Sequence, residues 1–144
     1  MPSDLAFRAL NRFHRTVQTL SGGRLGWSAW DMPVLKLTTT GRRSGERRTV
    51  LLTSPLQEGD TLVLVASRGG DDTMPAWFLN LSADPEVEVS VGGAAPRPMR
   101  AEVAGPEERA RLWPLITSAH PNYADYQKRT ARQIPVVVLR PAPE

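Results

Sequence analysis

The run Glu86-Val87-Glu88-Val89-Ser90-Val91 alternates polar and branched apolar residues at a period of two. A helix would scatter these valines around its circumference, whereas a strand turns all three toward one core and leaves the other face wet. Five more segments have strand length and strand composition: 34–40, 48–54, 61–67, an alternating run at Met99, Ala101 and Val103, and the closing IPVVVL, whose Pro135 belongs at the strand start or on a sheet edge. Glu58-Gly59-Asp60 and Gly92-Gly93 supply turns between them.

Helical signals fall between the strands. Leu5, Ala9, Leu10, Phe13, Val17 and Leu20 share one face of a helix over residues 3–20, opposite Arg8, Asn11, Arg12 and Arg15, with Ser3 as its cap and Gly22-Gly23 as its stop. Such a basic amphipathic helix packs on its own domain or also touches a membrane surface, and both readings stay open. Pro75 starts a short helix that Asp84-Pro85 ends. Pro106 with Glu107 and Glu108 opens another that reaches Ala119 with a bend near Pro114, and Asn122 caps a last short one. The order is helix, three strands, short helix, two strands, two helices, strand. Six strands interrupted by helices, rather than alternating with them, argue against a doubly wound sheet. They fit a mainly β fold with flanking helices, a six-stranded and mostly antiparallel closed or split β-barrel.

The 144 residues suit one domain with a single core, residues 1–144, without metal or disulfide support. No cysteine is present, which excludes disulfides, thiolate catalysis and Cys-based metal sites and leaves the redox compartment open. No apolar run reaches the roughly 18 residues needed to cross a bilayer, and no signal peptide is evident, so the cytoplasm is the default location. Net charge is +3, and of 18 basic residues only Lys36 and Lys128 are lysines. Such a preference for planar guanidinium forks favours an anionic partner bearing phosphate or carboxylate groups.

The charge is concentrated in LTTTGRRSGERRTVLL. Arg42, Arg43, Arg47 and Arg48 lie close together between two strands, Gly41 and Gly45 permit sharp turning, and Ser44 adds a hydroxyl. The pattern fits an oxyanion grip or a merely solvated hairpin. It is neither a Walker loop nor a dinucleotide glycine motif. A second glycine turn follows a strand at Ala66-Ser67-Arg68-Gly69-Gly70, where a flat ligand or phosphate could approach the backbone. Asp71 and Asp72, being adjacent, read as turn residues. Tyr123 and Tyr126 share a helical face, with His120 one step back, and serve aromatic packing or a substrate pocket. His14 and His120 have no carboxylate partners at metal-ligand spacing, and no GxSxG elbow is present.

Taken jointly, LTTTGRRSGERR, LVLVASRGGDDTMPAWFLNLSADPEVEVSVGG and RLWPLITSAHPNYADYQKRTARQIPVVVLRP resemble the deazaflavin-dependent nitroreductase family in order and spacing, over residues 34–141. The resemblance implies a split β-barrel like that of the flavin-mononucleotide-binding proteins and a bound 8-hydroxy-5-deazaflavin coenzyme, coenzyme F-420. It implies a reductase passing hydride to a small-molecule acceptor of the quinone, nitroaromatic or enone class. By that resemblance Arg42, Arg43, Ser44, Arg47 and Arg48 take the coenzyme's phosphate and oligoglutamate handle. Ala66, Ser67, Arg68, Gly69, Pro75, Ala76 and Trp77 border its ring, Tyr126 and Ser67 orient the acceptor as catalytic hydroxyls, and Tyr123 and His120 line the substrate pocket.

Met74 stands where many relatives have histidine, His120 where nitroimidazole-reducing members have a third aromatic, and the strand after the arginines lacks a common proline. A flavin-mononucleotide oxidoreductase on the same barrel is the alternative enzyme, and a single-stranded nucleic-acid-binding barrel the alternative class. Against the latter, the aromatics fall on helices instead of a sheet face, and no nucleic-acid partner is expected. Monomer and homodimer both remain open.

Overall fold

The computed structural model describes residues 28–29 and 32–142. The expected helix at 3–20 lies outside them. Among the described residues there are eight strands: β1 (Ser28–Ala29), β2 (Met32–Thr40), β3 (Arg47–Thr53), β4 (Leu56–Glu58), β5 (Thr61–Val65), β6 (Glu86–Val91), β7 (Arg97–Val103) and β8 (Val136–Pro141). Three helices accompany them: α1 (Ala76–Ala83), α2 (Pro106–Ala119) and α3 (Asn122–Lys128). The six expected strands all form, and the sheet gains β1 and β4, which at two and three residues are too short to carry a readable period. Every pairing among the described strands is antiparallel.

The sheet runs β3-β2-β6-β7-β8-β5-β4, with β1 on the start of β2. Strands β3 and β4 therefore stand at opposite ends of the sheet, yet only Ser54 and Pro55 join them in the chain. The three Cα steps from Thr53 to Leu56 span at most about 11 Å, so the sheet has to curl until its ends meet. Ser54 sits at that seam, fully buried. Its N–H donates to the Pro33 carbonyl at 3.1 Å and its hydroxyl faces the carbonyls of Val63 (2.8 Å) and Leu56 (2.9 Å).

Alternation sorts the apolar residues onto two sides of the curl. Leu62 and Leu64 of β5, Val137 and Leu139 of β8, and Val87 and Val89 of β6 join Leu35, Leu37 and Met99 in an inner core closed by Phe78 and Leu81 of α1. Val63, Val136 and Val138 point the other way, onto Leu112 and Ile116 of α2 and Tyr123 of α3. Strands β5 and β8 read as unbroken apolar runs because both their faces are covered, while β6 alternates because one face is wet. Two details depart from simple alternation. Ser90 is buried, its hydroxyl donating to the Ala94 carbonyl, and Val103 is 42% exposed.

Pro75 precedes α1 and Asp84 ends it, as the punctuation requires. Glu107 and Glu108 fill the first turn of α2, which runs through Pro114 to Ala119. Asn122 does not cap α3. Pro121 takes that position and Asn122 is the first helical residue, with no side-chain capping bond.

Candidate functional site

The connection between β2 and β3 folds back on itself through Gly41 N–H to the Glu46 carbonyl (2.7 Å) and Gly45 N–H to the Gly41 carbonyl (2.9 Å). The loop is tight at Gly41, where a Cβ would come within 2.8 Å of the rotatable Ser44 hydroxyl and 3.2 Å of the Glu46 carbonyl. The four arginines then diverge. Arg42 is anchored to α1, its N–H and guanidinium donating to Asn80 Oδ1 at 3.2 and 2.9 Å, while Asn80 Nδ2 donates to Thr39 Oγ1. Arg43 has no partner among the described residues. Arg48 makes a loose, exposed pair with Glu46 at 3.4 Å. Arg47 is turned away from the others, donating to Thr40 Oγ1 at 2.7 Å and facing Glu88 at 3.7 Å.

The second glycine turn is a short 3-10 segment, Arg68–Gly70, in which Arg68, Gly69 and Gly70 all have positive φ (46°, 64° and 85°). For Arg68 this is a strained conformation. Gly70 has a structural reason: a Cβ there would lie 2.8 Å from the Tyr126 carbonyl, so this turn is pressed against α3. Arg132 holds the turn from beneath, donating to the carbonyls of Asp71 (2.9 Å), Ser67 (2.9 Å) and Ala66 (3.2 Å) and to Met74 Sδ. Burial lowers the pKa of Arg132, opposed by the charges of Asp71 and Asp72. The Thr73 N–H bonded to Asp71 keeps that carboxyl below its usual range, with Arg68 and Arg132 adding to the effect. Asp71 and Asp72 are turn residues, Asp72 accepting from the Thr130 hydroxyl.

Between these two turns, β3 and the start of α1 lies a cleft of about 570 Å³, the size of a small-molecule site. Its basic end carries Arg42, Arg43, Ser44 and Arg48, and Arg68 stands on the second turn. Ser67, Pro75, Ala76 and Trp77 form the middle, and Leu51, Thr53, Val65 and Tyr123 the far wall. Ten of the residues singled out in the sequence thus share one cleft. Five do not line it: Arg47, for the reason given; Ala66, which is fully buried in the inner core; Gly69, which turns its carbonyl to Arg129; and Tyr126 and His120.

His120, which caps the end of α2, and Tyr123 and Tyr126 of α3 form a ladder, His120 edge-on to Tyr123 and Tyr123 edge-on to Tyr126, with centroids 6.4 and 5.8 Å apart. Only Tyr123 reaches the cleft. Its hydroxyl donates to Met32 Sδ, and burial pushes its pKa up to about 12, so it is a neutral donor at physiological pH. Tyr126 is covered by the Arg129 guanidinium at 5.5 Å. Among the described residues no group of His, Asp or Glu side chains could hold a metal ion.

Sequence reasoning missed Asn80 and Arg132. Asn80 did leave a trace, a polar residue between Leu79 and Leu81 on a helix with a buried face. Arg132 left none, because its acceptors are main-chain carbonyls more than 60 residues away in the chain. The donor set at the basic end fits phosphate and carboxylate oxygens: three guanidinium groups, the Ser44 side chain, and the N–H groups of Arg43 and Ser44, which have no acceptor among the described residues.

A sequence profile described as F420H(2)-dependent quinone reductase matches residues 10–141. The chain is 39% identical, over 90% of its length and 89% of the relative's, to an F420H(2)-dependent quinone reductase of Mycobacterium tuberculosis (strain ATCC 25618 / H37Rv). A solved structure described as an F420-H2 dependent reductase is 39% identical with a TM-score of 0.66, covering 75% of this chain and 94% of that one. Another, described as a domain-swapped dimer, is 38% identical with a TM-score of 0.69, covering 88% and 94%.

Proposed function

The chain belongs to the F420H(2)-dependent quinone reductase family, and from that premise we propose that its cleft holds coenzyme F-420 along its length, with a quinone received at the Tyr123 end. The protein is an oxidoreductase, on a fold we read as a split barrel. When bound, the reduced coenzyme supplies a hydride as one two-electron transfer, so the protein has to bind, align and exclude water. The observation that carries the reading is the polarity of the cleft: three guanidinium groups at one end, of which Arg43 has no partner among the described residues, and at the other the side chains of Leu51 and Val65 with the neutral hydroxyls of Thr53 and Tyr123.

Arg43, Arg48 and the partly engaged Arg42 face where a phosphodiester and glutamate handle would lie. Ser67, Arg68, Pro75, Ala76 and Trp77 border the ring position. Tyr123, rather than Tyr126, takes the role of a hydroxyl that can donate to a carbonyl oxygen as negative charge develops there. Arg47, Ala66, Gly69, Tyr126 and His120 lie outside the cleft. Of the two assemblies left open, the relative described as a domain-swapped dimer favours the homodimer.

Titration with oxidised deazaflavin tests this. Fluorescence quenching should saturate, weaken with salt, and weaken further in Arg43→Ala, while Arg47→Ala binds as the wild type does. Equal losses in both variants would refute the division of labour between the arginines. Binding of flavin mononucleotide with no response to the deazaflavin would favour the alternative enzyme.

A further inference from the structure

The ring-bordering turn and the tyrosine helix are separate in sequence yet fastened together at many points. Arg132 donates to three carbonyls of residues 66–71, Thr130 Oγ1 donates to Asp72 at 2.6 Å, Arg129 donates to the Gly69 carbonyl, and Gly70 abuts the Tyr126 carbonyl. On its other side, Arg132 is itself pinned to α3. Gln127 Nε2 donates to the Arg132 carbonyl at 2.7 Å, and Gln127 Oε1 accepts the Ile134 N–H at 2.9 Å. A continuous hydrogen-bonded path therefore runs from the helix carrying Tyr123, through Arg132, to the turn carrying Ser67 and Arg68.

The turn needs such a restraint, because it keeps three successive residues at positive φ, one of them not glycine. Arg132 is suited to it. One planar fork satisfies several carbonyls at once, which a lysine ammonium on a flexible stem cannot do with the same geometry. Arg132 does not line the cleft, so it acts through the groups it holds.

We infer that Arg132 is a positioning residue, fixing the distance between a coenzyme ring held at Ser67–Arg68 and an acceptor held against Tyr123. The inference rests on the proposed function and adds to it the element that registers donor against acceptor. Hydride transfer demands that the reacting atoms meet at close range, and a displacement of about 1 Å can slow such a step on the order of 100-fold. Binding of the coenzyme handle, at the far end of the cleft, does not pass through Arg132.

The test compares the full-length wild-type protein with Arg132→Lys, Arg132→Ala and Thr130→Val. Affinity is read by quenching of oxidised deazaflavin. The rate is read by mixing protein loaded with reduced deazaflavin against menadione, a small quinone, in single turnover. In Arg132→Lys the affinity should stay within about threefold while the rate falls by about tenfold or more. Arg132→Ala should fall further and recover in part when guanidinium ion is added at millimolar concentration. Thr130→Val loosens the same junction from its edge and should give an intermediate loss, even if the alanine variant does not fold. An unchanged rate in Arg132→Lys, or a loss of affinity that matches the loss of rate, overturns the inference. If the wild-type protein neither quenches the deazaflavin nor oxidises its reduced form, the functional reading itself fails. Wild-type activity with undiminished Arg132→Lys turnover refutes the positioning role alone.

Discussion

Replacing Asn80 with leucine should damage stability and coenzyme binding together, because one buried amide joins the arginine loop to the helix that borders the proposed ring position. Asn80 is 5% exposed and makes three bonds, accepting from the Arg42 N–H and guanidinium and donating to Thr39 Oγ1. Each neutral hydrogen bond contributes about 1 kcal/mol, and the bond from the guanidinium somewhat more before solvent screening. Thr39 is fully buried, so its hydroxyl would be left without this partner. The sum is about 2–4 kcal/mol of stability. The freed loop would then have to be ordered on binding, and about 1.4 kcal/mol of ordering raises the coenzyme Kd tenfold. Urea unfolding gives the first quantity and deazaflavin quenching the second. Asn80→Asp retains the acceptor for Arg42 and should bind more tightly than Asn80→Leu. If the leucine variant unfolds at the wild-type midpoint and binds with the wild-type affinity, Asn80 does not preorganise the loop.

Two further predictions follow from the packing. Tyr123 has its pKa raised by burial from 10.0 to about 12, so the native state keeps a proton that the unfolded chain releases. Below pH 10 this makes no difference; between about pH 10 and 12 stability should fall as pH rises, and Tyr123→Phe should flatten that part of the profile in alkaline denaturation. Ser54→Ala removes the hydroxyl facing Val63 and Leu56 and receiving Gln57 Nε2, and should lower stability by about 1–3 kcal/mol in urea unfolding. A loss under about 0.5 kcal/mol would show that the seam closes without it.

What the chain alone determined was local and periodic. Alternation in EVEVSV, the unbroken apolar runs of β5 and β8, and the prolines at 75 and 106 fix strands and helix starts through steric and hydrophobic rules acting within a few residues. The density of arginines around Ser44 likewise marked a concentration of cationic donors, since charge composition does not depend on the fold. Tertiary structure alone decided which of those arginines face the cleft, because Arg47 and Arg48 are neighbours on a strand and adjacent side chains of a strand point to opposite faces. It also decided that Tyr123 and not Tyr126 reaches the cleft, and that the glycine at 70 serves helix packing. Arg132 became legible only once folded, and Asn80 showed beforehand only as a polar residue between leucines on a helix, for each works by satisfying groups far away in sequence. A hydrogen bond between such positions has no signature in either segment until the curled sheet brings them together.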